Sequence, residues 1–133
     1  MRYLGIDYGR KRIGIAISDP EGQMAFPAQI LVNKDMKSVL MEIQSVCKKE
    51  KIGHIVIGLP LSLDGEDSLQ TRSVRKFFEA LHKKIELPIT YENEMFTTRM
   101  VQEGTLKKKH VDASAAAIIL QSYLDKKQSR SIM

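Results

Sequence analysis

The first nineteen residues, Met1–Asp19, read MRYLGIDYGRKRIGIAISD, and they decide how the rest of the chain is organised. Two short isoleucine-rich runs, residues 3–6 and 13–17, flank a polar segment that contains a glycine. Apolar runs joined in this way predict a β-hairpin. Asp7 follows the first run and is close to the basic triplet Arg10-Lys11-Arg12. A carboxylate beside three cations is placed to act on an anionic group if other acids join it.

The composition indicates a single globular domain over residues 1–133. Hydrophobic residues make up 43%, a normal share for a folded protein, which argues against disorder. Cys47 is the only cysteine, so an internal disulfide and a cysteine-rich zinc site are excluded. No signal-peptide pattern appears, and the longest apolar run, residues 115–120, is too short to cross a bilayer. We therefore expect a cytoplasmic protein without a membrane partner.

The formal net charge of +5 favours an acidic partner, with nucleic acid as the first choice and lysine-rich solubility as the alternative. The positive charge is concentrated in two clusters, Arg10-Lys11-Arg12 and Lys107-Lys108-Lys109-His110. Clusters of this kind are more informative than the total, because they indicate where a phosphate backbone would lie.

Predicted strands and helices alternate after the hairpin. Residues 24–32 predict an outer strand, because Pro27 would be costly in a central one. Further strands are predicted at residues 53–58 and 87–91, and helices at 36–47, from 67–68 onward, through 97–100 and from 112 onward, with a frayed tail from 126 onward. This order predicts an α/β fold with a five-stranded mixed sheet, an antiparallel meander followed by parallel strands, and helices on both faces.

Three acids stand at the ends of apolar elements. Asp7 ends the first strand, Glu94 follows the strand at residues 87–91, and Asp112 begins the final helix. Sites in such sheets form at the carboxyl ends of the strands, where all three could converge. Clustered carboxylates repel one another without a cation, and carboxylate oxygens are the ligands that Mg²⁺ prefers. The pattern therefore suggests a metal site for phosphodiester chemistry.

Each acid also has a purely structural interpretation. Asp112 before Ala-Ser-Ala is a good helix N-cap. Glu94 in a first helical turn is favoured by the helix dipole, and Asp7 could support the turn that follows it. The spacing of the residues alone leaves these alternatives open.

Four motifs in order resemble the YqgF/RuvX-type family, small proteins of the ribonuclease H-like fold related to RuvC-type resolvases. The motifs are Gly5-Ile6-Asp7-Tyr8-Gly9 with residues 12–16 and 18–19, Gly58-Leu59-Pro60 with Asp64-Gly65, Asn93-Glu94-Met95-Phe96-Thr97-Thr98, and Val111-Asp112-Ala113 with residues 115–116 and 119–123. The resemblance covers nearly the whole chain.

The resemblance implies a cytoplasmic nuclease whose metal-binding acids are Asp7, Glu94 and Asp112. Its implied role is maturation of the 5′ end of pre-16S ribosomal RNA, with resolution of Holliday junctions as the alternative. We expect a Mg²⁺ or Mn²⁺ cofactor and structured RNA or branched DNA as the partner. The sequence leaves the choice between a monomer and a dimer open.

The third motif departs from the family pattern, which usually reads Asp-Glu-Arg-Leu-Thr-Thr. Here Asn93 replaces the first acid and Met95 replaces the arginine, while Glu94 is retained. Loss of a guanidinium removes a bidentate phosphate contact or a carboxylate partner. This departure favours a weaker grip on the substrate than in a typical member.

Other residues are candidates for contacts with nucleic acid. The triplet Arg10-Lys11-Arg12 could hold phosphates next to Asp7, or could simply be a solvated turn. Lys107-Lys108-Lys109 would give salt-sensitive binding without sequence preference. His110 is a possible proton donor to a leaving group, and Thr97 and Thr98 could orient Glu94 or cap their helix.

Two further functions remain open. The segment Gly5–Gly9 also resembles the phosphate loop of actin-like ATPases and sugar kinases, but those proteins close two such domains over nucleotide and this chain has room for one. A non-catalytic RNA-binding module in ribosome assembly is the other alternative, and Met95 is its best support.

Overall fold

The computed structural model describes residues 1–60, 68–93 and 111–132, with side chains in the last range described from 115 to 129. The described strands are β1 Arg2–Tyr8, β2 Arg12–Ser18, β3 Ala25–Val32, β4 Ile52–Leu59 and β5 Ile89–Asn93. The described helices are α1 Met36–Lys49, α2 Leu69–Lys84 and α3 Val111–Ile132. None of the helices in these ranges is long and apolar enough to cross a membrane.

The strands form one sheet in the order β3-β2-β1-β4-β5. β1, β2 and β3 pair antiparallel as a meander, and β4 and β5 extend the sheet parallel to β1. This arrangement confirms the predicted mixed five-stranded sheet. Ile6 pairs with Ile57, which in turn pairs with Tyr91, so β1, β4 and β5 run to the same edge.

The edge strand β3 is irregular near Pro27. Its register against β2 shifts between Ile15 and Ala16, next to the pairing of Ala16 with Pro27. Proline lacks a backbone N–H and cannot complete a ladder on both sides, so an edge position suits it. The outer strand expected from Pro27 is confirmed.

Helices cover both faces of the sheet, as predicted. Strand side chains alternate between the faces, so Leu4 and Ile6 enter the core beneath α1 and α2, while Tyr3 faces α3. Cys47 is buried on the apolar side of α1. The α1 and α2 face therefore holds the larger of the two cores.

Helices α1 and α2 each begin at a capping residue that the sequence supplies. Asp35 caps α1 by accepting a hydrogen bond from the Ser38 backbone N–H at 2.8 Å. Ser68 caps α2 by accepting from the Thr71 N–H at 3.1 Å. Each cap satisfies a backbone donor that the helix itself leaves unpaired.

The prediction of a frayed tail from residue 126 onward was wrong. α3 continues to Ile132, and its second half is held against the sheet. Lys126 donates to Glu92 and Lys127 donates to the Tyr3 hydroxyl, which are contacts with distant strands. The polar appearance of this segment concealed them. The helix predicted through residues 97–100 lies outside the described residues.

Candidate active site

Asp7 lies within β1, where it pairs with Gly14 of β2. Pairing continues two residues past the apolar run at residues 3–6, through Asp7 and Tyr8. Because side chains alternate along a strand, Asp7 lies on the same face as Tyr3 and Gly5, the face that α3 covers. The Asp7 side chain is half-buried there.

Helix α3 crosses β1 at Gly5. A Cβ atom at this position would lie 2.7 Å from the Leu120 Cβ and 3.0 Å from the Ala116 carbonyl oxygen, so the close approach requires glycine. Nearer the start of β1, Lys127 contacts Tyr3. The helix therefore runs antiparallel to β1, with its first residues toward the carboxyl end of the strand.

This direction brings Asp112 toward Asp7. Asp112 precedes Ala116 by four residues, which is about 6 Å along a helix axis. Asp7 follows Gly5 by two residues, which is about 7 Å along a strand. Measured from the point where α3 crosses β1, both acids thus lie a similar distance toward the same edge of the sheet. The side chain of Asp112 is outside the described part of the structure.

Glycines flank Asp7 on both neighbouring strands. Gly14 is its direct partner on β2. On the other side, Ile6 pairs with Ile57, so the next position on β4 is Gly58. Consequently, neither β2 nor β4 places a side chain on the sheet directly beside Asp7.

Strand β5 reaches the same edge. Asn93, its last residue, pairs with Leu59, and the adjacent Glu92 is 5% exposed. Glu92 accepts hydrogen bonds from the Ser122 hydroxyl at 2.7 Å and the Lys126 ammonium at 2.6 Å, both on α3. Glu94 directly follows Asn93 in the sequence and lies outside the described residues.

The basic triplet occupies the tip of the β1–β2 hairpin. Arg10, Lys11 and Arg12 are all exposed, and Arg12 is also the first residue of β2. Tyr8 at the end of β1 pairs with Ile13, so the triplet begins within three residues of Asp7. The other predicted contacts, Thr97, Thr98, Lys107, Lys108, Lys109 and His110, lie outside the described residues.

A family model matches residues 1–126, and its description is RuvX, Holliday junction resolvase. The chain belongs to the RuvX family. Several curated relatives, among them the two described next, carry the name "Putative pre-16S rRNA nuclease". The relative from Maridesulfovibrio salexigens is 42% identical over 133 residues, covering 93% of this chain and 98% of its own. The relative from Nitratidesulfovibrio vulgaris is 39% identical over 138 residues, covering 98% and 97%.

A solved structure with the same fold is RuvC of T. thermophilus in complex with a Holliday junction substrate. It superimposes with a TM-score of 0.67 at 12% sequence identity, covering 97% of this chain and 96% of the other. The likeness confirms the ribonuclease H-like fold expected from the RuvX-type motifs.

For this RuvX-family chain, the structure thus brings Asp7 and the first turn of α3 to the edge where β5 ends. Within the described ranges, no group of three histidine, cysteine or acidic residues forms a metal-binding cluster. Of the three predicted acids, only Asp7 has a described side chain, so this finding does not extend to Asp112 and Glu94.

Sequence reasoning missed Glu92 in this RuvX-family protein. It stood in the polar run Glu92-Asn93-Glu94 after a predicted strand, where acids are usually solvated. β5 extends through Asn93, which makes Glu92 a buried strand residue with two partners on α3. Thr90, whose hydroxyl is 2.7 Å from the His54 Nε2 atom, faces α3, and alternation along β5 places Glu92 on the same face. The sequence offered only this two-residue alternation, for a strand that was predicted to end at residue 91.

Proposed function

We propose that this protein is a divalent-metal-dependent nuclease that hydrolyses phosphodiester bonds in structured nucleic acid, acting in 5′-end processing of pre-16S rRNA in the cytoplasm. The observation that carries the proposal is the position of Asp7. It lies on the α3 face of the central strand, at the edge toward which the first turn of α3 and the end of β5 both run. Membership of the RuvX family supports the nuclease class.

The proposed metal ligands are Asp7, Glu94 and Asp112, and the proposed ion is Mg²⁺ or Mn²⁺. A set of carboxylates suits a hard cation that keeps several waters. Gly14 and Gly58 support this fit, because neither flanking strand position places a side chain beside Asp7. Such an ion, when bound, activates a water and stabilises the leaving oxygen of a phosphodiester.

The chain's own residues hold and orient the substrate. The exposed triplet Arg10-Lys11-Arg12 neutralises phosphates next to the scissile bond. The Lys107-Lys108-Lys109 segment adds a second cationic contact, Thr97 and Thr98 orient Glu94, and His110 assists proton transfer to the leaving group. A water oxygen bonds to phosphorus as the bond to the 3′ oxygen breaks, which leaves a 3′-hydroxyl and a 5′-phosphate.

The test is cleavage of a 16S precursor RNA with its 5′ leader, beside a four-way DNA junction, in Mg²⁺, Mn²⁺ or chelator. We expect metal-dependent cleavage of the RNA, and loss of at least about a hundredfold in rate for Asp7→Asn. This substitution keeps the size of the side chain and removes its charge. Absence of metal-dependent cleavage of both substrates would reject the proposal.

Asp19→Asn is the matched control. Asp19 is also an acid of the opening stretch. It accepts hydrogen bonds from the backbone N–H groups of Gln23 and Met24 in the turn between β2 and β3, away from Asp7. We expect cleavage by this variant to equal that of the wild type. Equal losses in Asp7→Asn and Asp19→Asn would show a general loss of structure instead of a role for Asp7.

A second candidate is Holliday junction resolution, which the description of the matching family model favours. Faster cleavage of the DNA junction than of the precursor RNA would support it. A third outcome, metal-independent RNA binding without turnover and with affinity unchanged by Asp7→Asn, would support the non-catalytic module to which the Asn93 and Met95 departures point.

A further inference from the structure

The basic turn of the opening hairpin has a fixed backbone. A Cβ atom at Gly9 would collide with the carbonyl oxygen of Arg12, so the chain closes tightly on itself over these residues. Tyr8 and Ile13 pair on either side of the turn. Of the residues between them, Arg12 pairs with Val32 of β3, while residues 9–11 lie outside the strands, so hydrogen bonds from other elements hold their backbone.

Two side-chain amides supply those contacts. Asn33 donates from Nδ2 to the Gly9 carbonyl at 2.9 Å, and its backbone N–H donates to the Lys11 carbonyl, also at 2.9 Å. Gln70 donates from Nε2 to the Tyr8 carbonyl at 2.8 Å. Three carbonyls of one short segment are thereby bonded to residues 22 to 62 positions away in the sequence.

Both amides are attached to rigid elements. Asn33 stands two residues before Asp35, the cap of α1, and Gln70 lies in the first turn of α2. Tyr8, which Gln70 bonds, also stacks on Phe77 of α2 with ring centroids 4.4 Å apart. The turn is therefore fastened to the two helices that cover the opposite face of the sheet from α3.

The hydrogen bonds from Asn33 and Gln70 are accepted by backbone carbonyls of the turn, so they do not occupy the basic side chains. The side chains of Arg10 and Lys11 are exposed beside the edge that carries Asp7. A cationic loop whose backbone is already ordered loses less conformational freedom on binding than a flexible one, so it binds more tightly with the same contacts.

We propose that Asn33 and Gln70 are positioning residues that hold the turn at residues 9–12 as a preformed grip for the phosphates of a nucleic-acid substrate. The inference rests on the proposed function, since it assigns the turn to the substrate of the Asp7 site. It adds two uncharged residues, from outside the hairpin, that never need to touch the substrate.

The test measures binding of a fluorescein-labelled RNA hairpin with a single-stranded 5′ extension, by anisotropy in chelator and across a range of salt. In Asn33→Ala/Gln70→Ala we expect affinity to fall about three- to tenfold, with an unchanged slope of log affinity against log salt. The slope is retained because the same cations still meet the same phosphates. In Arg10→Ala, by contrast, the slope should decrease by about 0.7 to 0.9, because one phosphate contact is lost.

Gln121→Ala is the matched control. Gln121 is also an amide that fastens a turn, accepting from the Ala25 N–H at 2.8 Å and donating to the Gln23 carbonyl at 2.9 Å, but at the β2–β3 turn. We expect this variant to bind the RNA as the wild type does. Hydrogen exchange should become faster at the amides of residues 10–12 in the Asn33 and Gln70 variants and stay unchanged in the control.

The outcomes separate this inference from the proposed function. Wild-type affinity in Asn33→Ala, Gln70→Ala and their combination, with weaker binding in Arg10→Ala, would overturn the positioning role and leave the nuclease proposal intact. Unchanged affinity in Arg10→Ala and Lys11→Ala would overturn it as well. If the combined variant does not fold, the two single variants decide. Failure to cleave in the metal assay would instead reject the nuclease, because the binding assay contains no metal.

Discussion

The Lys126 ammonium donates to the Glu92 carboxylate at 2.6 Å and joins the second half of α3 to the last strand of the sheet. Ser122, one helical turn earlier, donates to the same carboxylate oxygen at 2.7 Å. Glu92 is 5% exposed, whereas the Lys126 side chain is 55% exposed. The buried carboxylate therefore depends on two donors from α3, and Lys126 supplies the positive charge among them.

Replacing Lys126 with methionine should lower the free energy of unfolding by about 1–2 kcal/mol. Breaking a fully buried ion pair costs several kcal/mol, and breaking a solvated pair costs much less. The cost expected here lies between the two, because Lys126 keeps part of its hydration. Urea unfolding at neutral pH measures the change. Lys76→Met on α2, an exposed lysine, should cost less than about 0.5 kcal/mol. In a Glu92→Gln background the cost of Lys126→Met should also fall, and equal costs in both backgrounds would argue against the pair.

Gly5→Ala should displace α3 from the sheet. The new methyl group would lie 2.7 Å from the Leu120 Cβ and 3.0 Å from the Ala116 carbonyl oxygen, and neither atom can move without the helix. We expect a loss of about 1–3 kcal/mol in urea unfolding, the usual range for overpacking. Cleavage should fall more than the loss of folded protein explains, because α3 carries Asp112.

Gly53→Ala is the control for this substitution. Its Cβ atom would lie 2.8 Å from the Met1 Cγ, but that side chain is at the chain terminus and 64% exposed, so it can rotate away. We expect a change in unfolding free energy of less than about 1 kcal/mol and unchanged cleavage. Comparable losses at both positions would mean that Gly5 does not set the helix position.

The stability of the fold should decrease as the pH falls below about 6.5, partly through His54. Burial, and secondarily the nearby Lys127 charge, lowers the pKa of His54 in the folded state. The ring lies between Tyr3 and Tyr123, with centroids 5.3 and 5.6 Å away, and its Nε2 atom is 2.7 Å from the Thr90 hydroxyl. Below the unfolded pKa the unfolded chain binds more protons than the folded one, so protonation favours unfolding.

Urea titrations between about pH 7.5 and pH 5 measure this effect. The contribution of His54 is fully present above its unfolded pKa and is lost progressively toward its lowered folded pKa. In His54→Gln the pH dependence of unfolding free energy should be shallower. An equally steep dependence in the variant would assign the effect to other groups.

Cys47 should resist alkylation in the folded protein. Burial raises the pKa of its thiol to about 11, so at about pH 8 only about one thiol in a thousand is ionised. Iodoacetamide labelling followed by mass spectrometry should be slow in buffer and fast in denaturant. Rapid labelling of the folded protein would contradict the burial of this side chain.

The sequence predicted the elements whose signals are local. The opening hairpin follows from two isoleucine-rich runs and a glycine-bearing turn, and α1 follows from apolar residues at helical spacing after Asp35. Pro27 indicated an edge strand because its missing N–H excludes a central one. These patterns depend on residues close together in the chain, and the order of the elements then fixed the class of sheet.

The candidate site was predictable only as a set of acids at element ends. Asp7 lies at the predicted edge on the α3 face, while the structure describes no side chain for Asp112 and nothing of Glu94. Their joint role in binding a metal remains a prediction. The RuvX-type motifs, more than the spacing of the residues, selected these three acids from the sixteen acids of the chain.

The sequence by itself determined the strands, the first helices and the position of Asp7 at a strand end, because alternation and helical periodicity are properties of short segments. The tertiary structure alone decided which face Asp7 shares with α3, that Glu92 is buried by Ser122 and Lys126, and that Asn33 and Gln70 fasten the basic turn. The hydrogen bonds of Glu92, Asn33 and Gln70 join residues from 24 to 62 positions apart. No local pattern encodes such a pairing, since it exists only once the sheet has brought both partners to one place.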